Sequence, residues 1–291
     1  MAEKTRALLA TSRIANIPSV ISNVWLGVVI ASMGNPSVVD FPKAALHSVA
    51  GVALYVAGNF FNDWHDRQWD ADHRPERALP RGLFFPGLYL ALACTASAIA
   101  LAIGLWTGSS TPVVALLTLI ILYTRFHKCS PWAILAMGSC RAMLLPLGAA
   151  CIVGQANGEG IACGMLGLAS YIAGISLNAR YESLPNPPLP AMIVAKSLLL
   201  GAGLILATIG GFSFSLLPFA AWLALALAVF RKPLSRQVSA LLAGIPLLDG
   251  IVILPLAIAA GWPIDCWTAV LWIPPLAFLA ALLLQRLSPA T

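Results

Sequence analysis

Charge is what this chain lacks most. Asp, Glu, Lys and Arg make up 10% of its 291 residues, against about a quarter in soluble domains. Hydrophobic residues account for 59%, and the mean hydropathy is +0.87. A soluble globular domain is excluded. The chain also lacks a CxxC pair. Its six cysteines sit mostly in apolar runs, which argues for small core residues over disulfides or a soft metal centre. No Ser–His–Asp or Cys–His arrangement suggests a covalent enzyme intermediate. No Ser/Gly linker, composition shift or repeat divides residues 1–291, so one domain is expected. The net charge of +6 is spread over loops. Membrane topology and anionic lipid explain it better than nucleic acid does.

What the chain has is apolar runs of spanning length from end to end, and these predict an all-α polytopic membrane bundle. Candidate spans are 14–33, 44–61, 84–107, 111–126, 132–154, 160–178, 190–210, 213–230, 237–261 and 265–285. This is nine to ten crossings, with 213–230 and 265–285 the ones that could be half-buried. Met1 to Arg13 is basic, and the run after it has no small-residue cleavage site, so it reads as a retained first helix. Lys4, Arg6 and Arg13 fall on one side, with Arg67, Arg74, Arg77, Arg81, Arg125, Lys128, Arg180, Lys196, Arg231, Lys232, Arg236 and Arg286. Lys43 alone falls on the other. By the positive-inside rule the crowded side, with the N-terminus, is cytoplasmic. A bacterial inner membrane is the expected location.

The scarce acids are concentrated. Asn62-Asp63-Trp64-His65-Asp66-Arg67-Gln68-Trp69-Asp70 puts Asn62, Asp66 and Asp70 at i, i+4 and i+8, where the second apolar run ends. With Asp63 they share an arc of roughly 100° on a helix. Acids stacked so closely repel, and the repulsion calls for a cation. Oxygen-only ligands select a hard ion, Mg²⁺ before Zn²⁺, and Mg²⁺ usually completes its shell with water and phosphate oxygens. Pro75 predicts that the helix ends near Asp72. An arginine-rich turn follows, and Arg74 and Arg77 can fork onto phosphate. Together these make a diphosphate cradle. The plainer alternative is a solvated loop in which acids and arginines only pair with one another. His65 and His73 read as interfacial polar residues rather than ligands.

Asn62-Asp63-x-x-Asp66-x-x-x-Asp70, followed by Arg74-Pro75-x-Arg77-x-x-Pro80-x-Gly82, resembles the first aspartate-rich motif of the UbiA superfamily of intramembrane prenyltransferases. Arg13 before the first span, and Tyr123 and Lys128 after the fourth, resemble that family's lesser landmarks. The resemblance covers most of the chain up to about residue 185. It implies a ring of helices around a lipid-open cavity, with Mg²⁺ and a prenyl diphosphate under a cytoplasmic cap. The implied partners are that diphosphate, a hydrophobic acceptor and membrane lipid; nothing points to a protein partner. Asn62, Asp66 and Asp70 would hold the metal, with Asp63 in or behind them. Arg74, Arg77, Lys128, Tyr123, Arg13 and, more weakly, Arg180 would face the diphosphate.

The superfamily's second aspartate motif is missing. Its place reads Asn178-Ala179-Arg180-Tyr181-Glu182-Ser183-Leu184-Pro185-Asn186, with Glu182 a weak metal ligand at best. This version, with Gly138-Ser139-Cys140-Arg141-Ala142, is similar to the EboC-like branch. A non-catalytic isoprenoid or lipid-binding protein on the same bundle is the alternative function, and the missing motif is its main support. A CDP-alcohol phosphotransferase is rejected because no D-G-x-x-A-R run precedes Asp66. Arg141 and Asp249 both fall near mid-membrane, where an unpaired charge costs at least about 2.5–3.5 kcal/mol on insertion scales. They are expected to face inward and either pair, directly or through water, or be solvated separately in a polar cavity. Either Tyr123 or Tyr171 could face a cavity and stabilise an allylic cation. Asn16 and Asn23 give the first span a polar stripe suited either to helix–helix hydrogen bonds or to ligand contact.

Overall fold

The computed structural model describes residues 2–128, 133–182, 184, 186–229, 233–260 and 268–287. Two of the six cysteines, Cys129 and Cys266, and Ser183, Pro185, Arg231 and Lys232 of the sequence reading lie outside them. The described residues form α1 (Ala2–Ser12), α2 (Ile17–Ala31), α3 (Phe41–His73), α4 (Pro86–Trp106) and α5 (Ser110–Phe126). There follow α6 (Ala133–Ala142), α7 (Leu144–Ala149), α8 (Gly158–Arg180) and α9 (Leu189–Gly210). The last are α10 (Leu216–Ala228), α11 (Leu234–Ala243), α12 (Ile245–Ala259) and α13 (Thr268–Leu287).

The all-helical membrane architecture is as the apolar runs predict. Seven described helices are long and apolar enough to cross a bilayer. Within 213–230, one of the two stretches that could be half-buried, the helix is Leu216–Ala228, about 20 Å long against a hydrocarbon core of about 30 Å; Ser110–Phe126 and Ala133–Ala149 are also short apolar helices. Two predicted spans are broken. Residues 132–154 divide at Met143 and residues 237–261 at Gly244. Each break lies just before a proline, Pro146 or Pro246, whose missing N–H denies the carbonyl four residues back its helical bond.

α2 is the central post, packed against α3, α7, α8, α12 and α13. Glycines let it approach α7 closely: a Cβ on Gly27 would collide with the Leu145 backbone, and one on Gly148 with the Val24 carbonyl. Dispersion at such close backbone contacts holds membrane helices together where hydrophobicity cannot. Asn23 donates to both carboxylate oxygens of Asp249 at 3.1 and 2.8 Å, and Ser22 Oγ donates to Oδ2. Of the predicted polar stripe, Asn23 makes a helix–helix bond to α12.

α3 carries the site outward. Asp40 caps its start, accepting from the Lys43 N–H at 3.0 Å, and its 33 residues run about 50 Å. About 20 Å of that exceeds the hydrocarbon thickness. The acid motif therefore stands on the helix end beyond the apolar stretch. α1 folds against this end: Glu3 pairs with Arg81 at 2.6 Å, Thr11 Oγ1 bonds Tyr89 Oη at 2.9 Å, and Asn59 Nδ2 donates to the Ser12 carbonyl at 3.1 Å. The N-terminus and the acid motif therefore share one end of the molecule.

Candidate active site

The helix runs one residue past the predicted Asp72, and pre-proline Arg74 leaves the helical region at φ −141°. The chain then turns back: Arg77 N–H bonds Arg74 O, Arg81 N–H bonds Arg77 O, and Gly82 closes the turn at φ +67°. That φ is left-handed, where a side chain would be strained. The turn returns the Arg77 guanidinium to the acids. Its Nη1 donates to Asp63 Oδ1 at 3.0 Å and to Asp70 Oδ2 at 2.9 Å.

Asp66 faces the other way, toward the end of α5. Lys128 Nζ lies 3.1 Å from its Oδ2, His127 Nε2 3.0 Å from the same oxygen, and His65 Nδ1 3.3 Å from Oδ1. Lys128 also sits 3.7 Å from the centre of the Trp69 ring, and Tyr123 stacks on His127 with ring centres 5.1 Å apart. The ion pairs expected of a plain surface loop do form, and the turn after α3 is largely exposed, but the helical acids are not. Asp66 is 5% exposed and Asp70 2%. Buried carboxylates are tolerable only because the cations complete their hydrogen bonds.

Two spaces adjoin the motif at Asp63 and Asn62; Asp66 and Asp70 line neither. Outward lies a basin of about 580 Å³ lined by Arg6, Arg13, Arg74, Arg77 and Arg81, with the acids Glu3, Asp63 and Glu76 also in its wall. Inward lies a cavity of about 120 Å³ lined by Leu54, Tyr55, Leu116, Ile120, Met137 and Leu144, among others. Asn62, Thr124 and Tyr123 also line the cavity, and Arg13 lines both spaces. Arg13 joins α1 to α2 at φ 49°, ψ 52°, a left-handed conformation uncommon for a residue with a side chain. Three cavity-lining residues keep buried polar atoms with no partner: Asn62 Oδ1, Thr124 Oγ1 and Arg141 Nη1. Each such atom left dry costs about 1–3 kcal/mol.

The predicted residues are therefore largely brought together. They form two groups at α3: Arg77 with Asp63 and Asp70, and Asp66 with Asn62 and Lys128, while Arg13, Arg74 and Tyr123 line the adjoining spaces. Arg180 is exposed and Glu182 half-buried just after α8, and neither lines the basin or the cavity. Tyr171 is fully buried and donates its hydroxyl to the Leu241 carbonyl at 3.0 Å, so of the two tyrosines Tyr123 is the one at the cavity. The direct Arg141–Asp249 pair does not form. Arg141 Nη2 donates instead to Ser19 Oγ at 2.8 Å, and Asp249 is taken up by Ser22 and Asn23. α2 supplies both sets of partners. Sequence reading missed His127, whose only signal was its place beside Lys128, and the contributions of Arg6 and Arg81 to the basin.

Residues 20–232 match the model of the UbiA prenyltransferase family, and the chain belongs to that family. It is accordingly an integral membrane protein of the prenyltransferase class, whose members generally use Mg²⁺ with diphosphate substrates. No curated protein matches it. Among solved structures it is similar to the apo structure of a UbiA homolog from Aeropyrum pernix K1. The two share 17% identity at a TM-score of 0.55 over 93% of this chain and 98% of that one. At that identity the likeness speaks for the fold alone.

The residues suit Mg²⁺ in kind. The available donors are oxygens, and Asn62 Oδ1 is buried and unpartnered beside Asp66. Among the described residues no group of three or more His, Cys, Asp or Glu side chains converges as a ready metal site. In this state Asp70 is engaged by Arg77 and Asp66 by Lys128 and His127.

Proposed function

We propose that the chain transfers a prenyl group from a prenyl diphosphate to a lipophilic or aromatic acceptor, with Mg²⁺ assistance. One observation carries the reading: a basin holding five arginines and an apolar cavity share Arg13, and the acid motif reaches both, with Asp63 in the basin wall and Asn62 in the cavity wall. A molecule with a polyanionic head and a hydrocarbon tail matches that pair of spaces. The proposed ligands of Mg²⁺ are Asn62, Asp66 and Asp70, with Asp63 in support and Glu182 a weaker contributor. The ion would supply charge neutralisation of the departing diphosphate.

The chain's own groups do the rest. Arg74, Arg77, Arg13 and Lys128 donate hydrogen bonds to the diphosphate oxygens as charge develops on them, and Arg180 is a more distant contributor. The tail occupies the cavity, where exclusion of water protects the allylic cation from hydrolysis. Tyr123 offers a ring face to that cation. The expected orientation puts the N-terminus and this site on the cytoplasmic side of a bacterial inner membrane, in line with the spread of basic residues.

The test is release of diphosphate from a radiolabelled prenyl diphosphate by the purified chain, with and without Mg²⁺. Removing electrostatic stabilisation of this kind costs about 10²–10³-fold in rate. Asp66→Ala and Asp70→Ala should each lose metal-dependent release on that scale. Binding without release in the wild type would instead support a lipid-binding protein, the reading favoured by the lack of an aspartate in residues 178–186.

A further inference from the structure

α1 precedes residues 20–232, the part that matches the family model, and one face of it walls the arginine basin. Glu3, Arg6, Ala7, Ala10 and Thr11 line that space, at the i, i+3, i+4, i+7 and i+8 spacing of a single helix face. Facing them is the turn after α3, with Arg74, Glu76, Arg77 and Arg81. The two ends of α1 are held differently. At the α2 end the tie is firm: Thr11 is buried and bonded to Tyr89, and Asn59 donates to the Ser12 carbonyl. At the far end it is slack. Glu3 pairs with Arg81 at 2.6 Å, but the two side chains keep 64% and 47% of their surface in water, and Lys4 Nζ stands 5.9 Å from the centre of the Phe84 ring. An exposed pair biases an equilibrium by about fivefold at most, and a helix this short is marginal without packing.

Among the described residues the side chains of Arg6 and Arg74 have no hydrogen-bond or ion-pair partner. Like charges on facing walls repel, and the basin between them, about 580 Å³, is wider than a diphosphate fills. An anion held by one wall therefore reaches the arginines of the other only if the walls approach. The joint that permits this is Arg13, left-handed at φ 49° between α1 and α2; a position at the end of an element is where a hinge absorbs its change of backbone angles. Resting on the reading of the basin as the diphosphate site, we propose that α1 is a strap that closes over a bound polyanion. The anion takes Arg81 from Glu3 and bridges it to Arg6, and α1 swings about Ser12 and Arg13. The exposed latch is thereby exchanged for charge-assisted bonds that need the ligand. The strap shuts on a loaded basin and slackens when the diphosphate leaves.

The experiment is hydrogen exchange read by mass spectrometry on the full chain in zwitterionic lipid nanodiscs. The buffer is metal-free and carries saturating inorganic pyrophosphate, or sodium chloride at equal ionic strength; calorimetry confirms binding. A charge-assisted bond across the basin is worth at least about tenfold, so pyrophosphate should slow exchange of the α1 amides by that factor or more. Amides of α10, which does not border the basin, should not change. Arg6→Gln, saturated with pyrophosphate, should lose the slowing. Without ligand, Glu3→Gln should exchange up to about fivefold faster than the wild type, and with pyrophosphate it should reach the wild-type rate. Pyrophosphate that binds without slowing α1 overturns the strap, as does slowing that survives Arg6→Gln. Faster exchange overturns it too, by making the anion a signal for release. Slowing that Glu3→Gln abolishes also overturns it, by making the ion pair part of the closed state. The measurement uses no prenyl diphosphate. A chain that closes on pyrophosphate but never releases it from a prenyl diphosphate loses the transferase reading and keeps the strap. One that releases diphosphate with α1 unmoved loses the strap alone.

Discussion

Replacing Arg77 with glutamine should lower stability and at the same time enlarge the stabilisation that Mg²⁺ confers. Nη1 of Arg77 bridges Asp63 and Asp70 at 3.0 and 2.9 Å, and the Arg77 and Asp70 side chains keep 22% and 3% of their surface in water. Breaking a fully buried pair from one side costs about 3–5 kcal/mol, and an exposed pair contributes under about 1 kcal/mol. This bridge lies between those limits and nearer the buried one, so a loss of about 2–3 kcal/mol is expected without divalent ions. An ion at a hundred times its dissociation constant returns about 2.7 kcal/mol. In the wild type that gain is reduced, because the ion competes with Arg77 for Asp70. In Arg77→Gln it is not, so millimolar MgCl₂ should close most of the gap. The assay is thermal unfolding in nanodiscs followed by tryptophan fluorescence, with and without MgCl₂. An equal Mg²⁺ response in both proteins would refute the idea that these carboxylates are a cation site held by arginine.

Three further outcomes are expected. Asp249→Leu strands Ser22 and Asn23 against a fully buried position and should cost about 3 kcal/mol or more, read as loss of monodisperse protein on size exclusion. Asp249→Asn should be milder. Gly148→Val drives a side chain into the Val24 carbonyl, an overpacking that costs about 1–3 kcal/mol or more; its thermal midpoint should fall well below that of Gly154→Val, where the added side chain meets open space and pays only for its backbone conformation. Arg13→Gly removes a left-handed side chain, so stability should hold or rise slightly. The same change should weaken binding of inorganic pyrophosphate about tenfold through loss of a charge-assisted bond. Unchanged pyrophosphate affinity would remove Arg13 from the basin.

The acid motif was legible because its signal is local. Asn62, Asp66 and Asp70 share one face by helical periodicity alone, and Pro75 located the turn that brings Arg77 back onto them. The broken fifth and ninth spans were less legible. Hydropathy averages over Pro146 and Pro246, whereas the backbone responds to one missing hydrogen bond. His127 was invisible for another reason: its partner, Asp66, lies 61 residues away in sequence on another helix. The Arg141–Asp249 pair was expected from the cost of isolated charge, and that reasoning is sound about cost. It could not foresee that Ser19, Ser22 and Asn23 on the central helix would share the two charges between them.

By itself the sequence determined that this is a helical membrane protein, where its acids gather, and which end carries the positive charge. These follow from length, hydropathy and helical period, which are properties of single segments. Only the tertiary structure decided that Asp63 borders an arginine-rich basin and Asn62 an apolar cavity, and that one arm of a guanidinium in the cavity wall lacks an acceptor. Those are relations between helices, and packing rather than periodicity sets them.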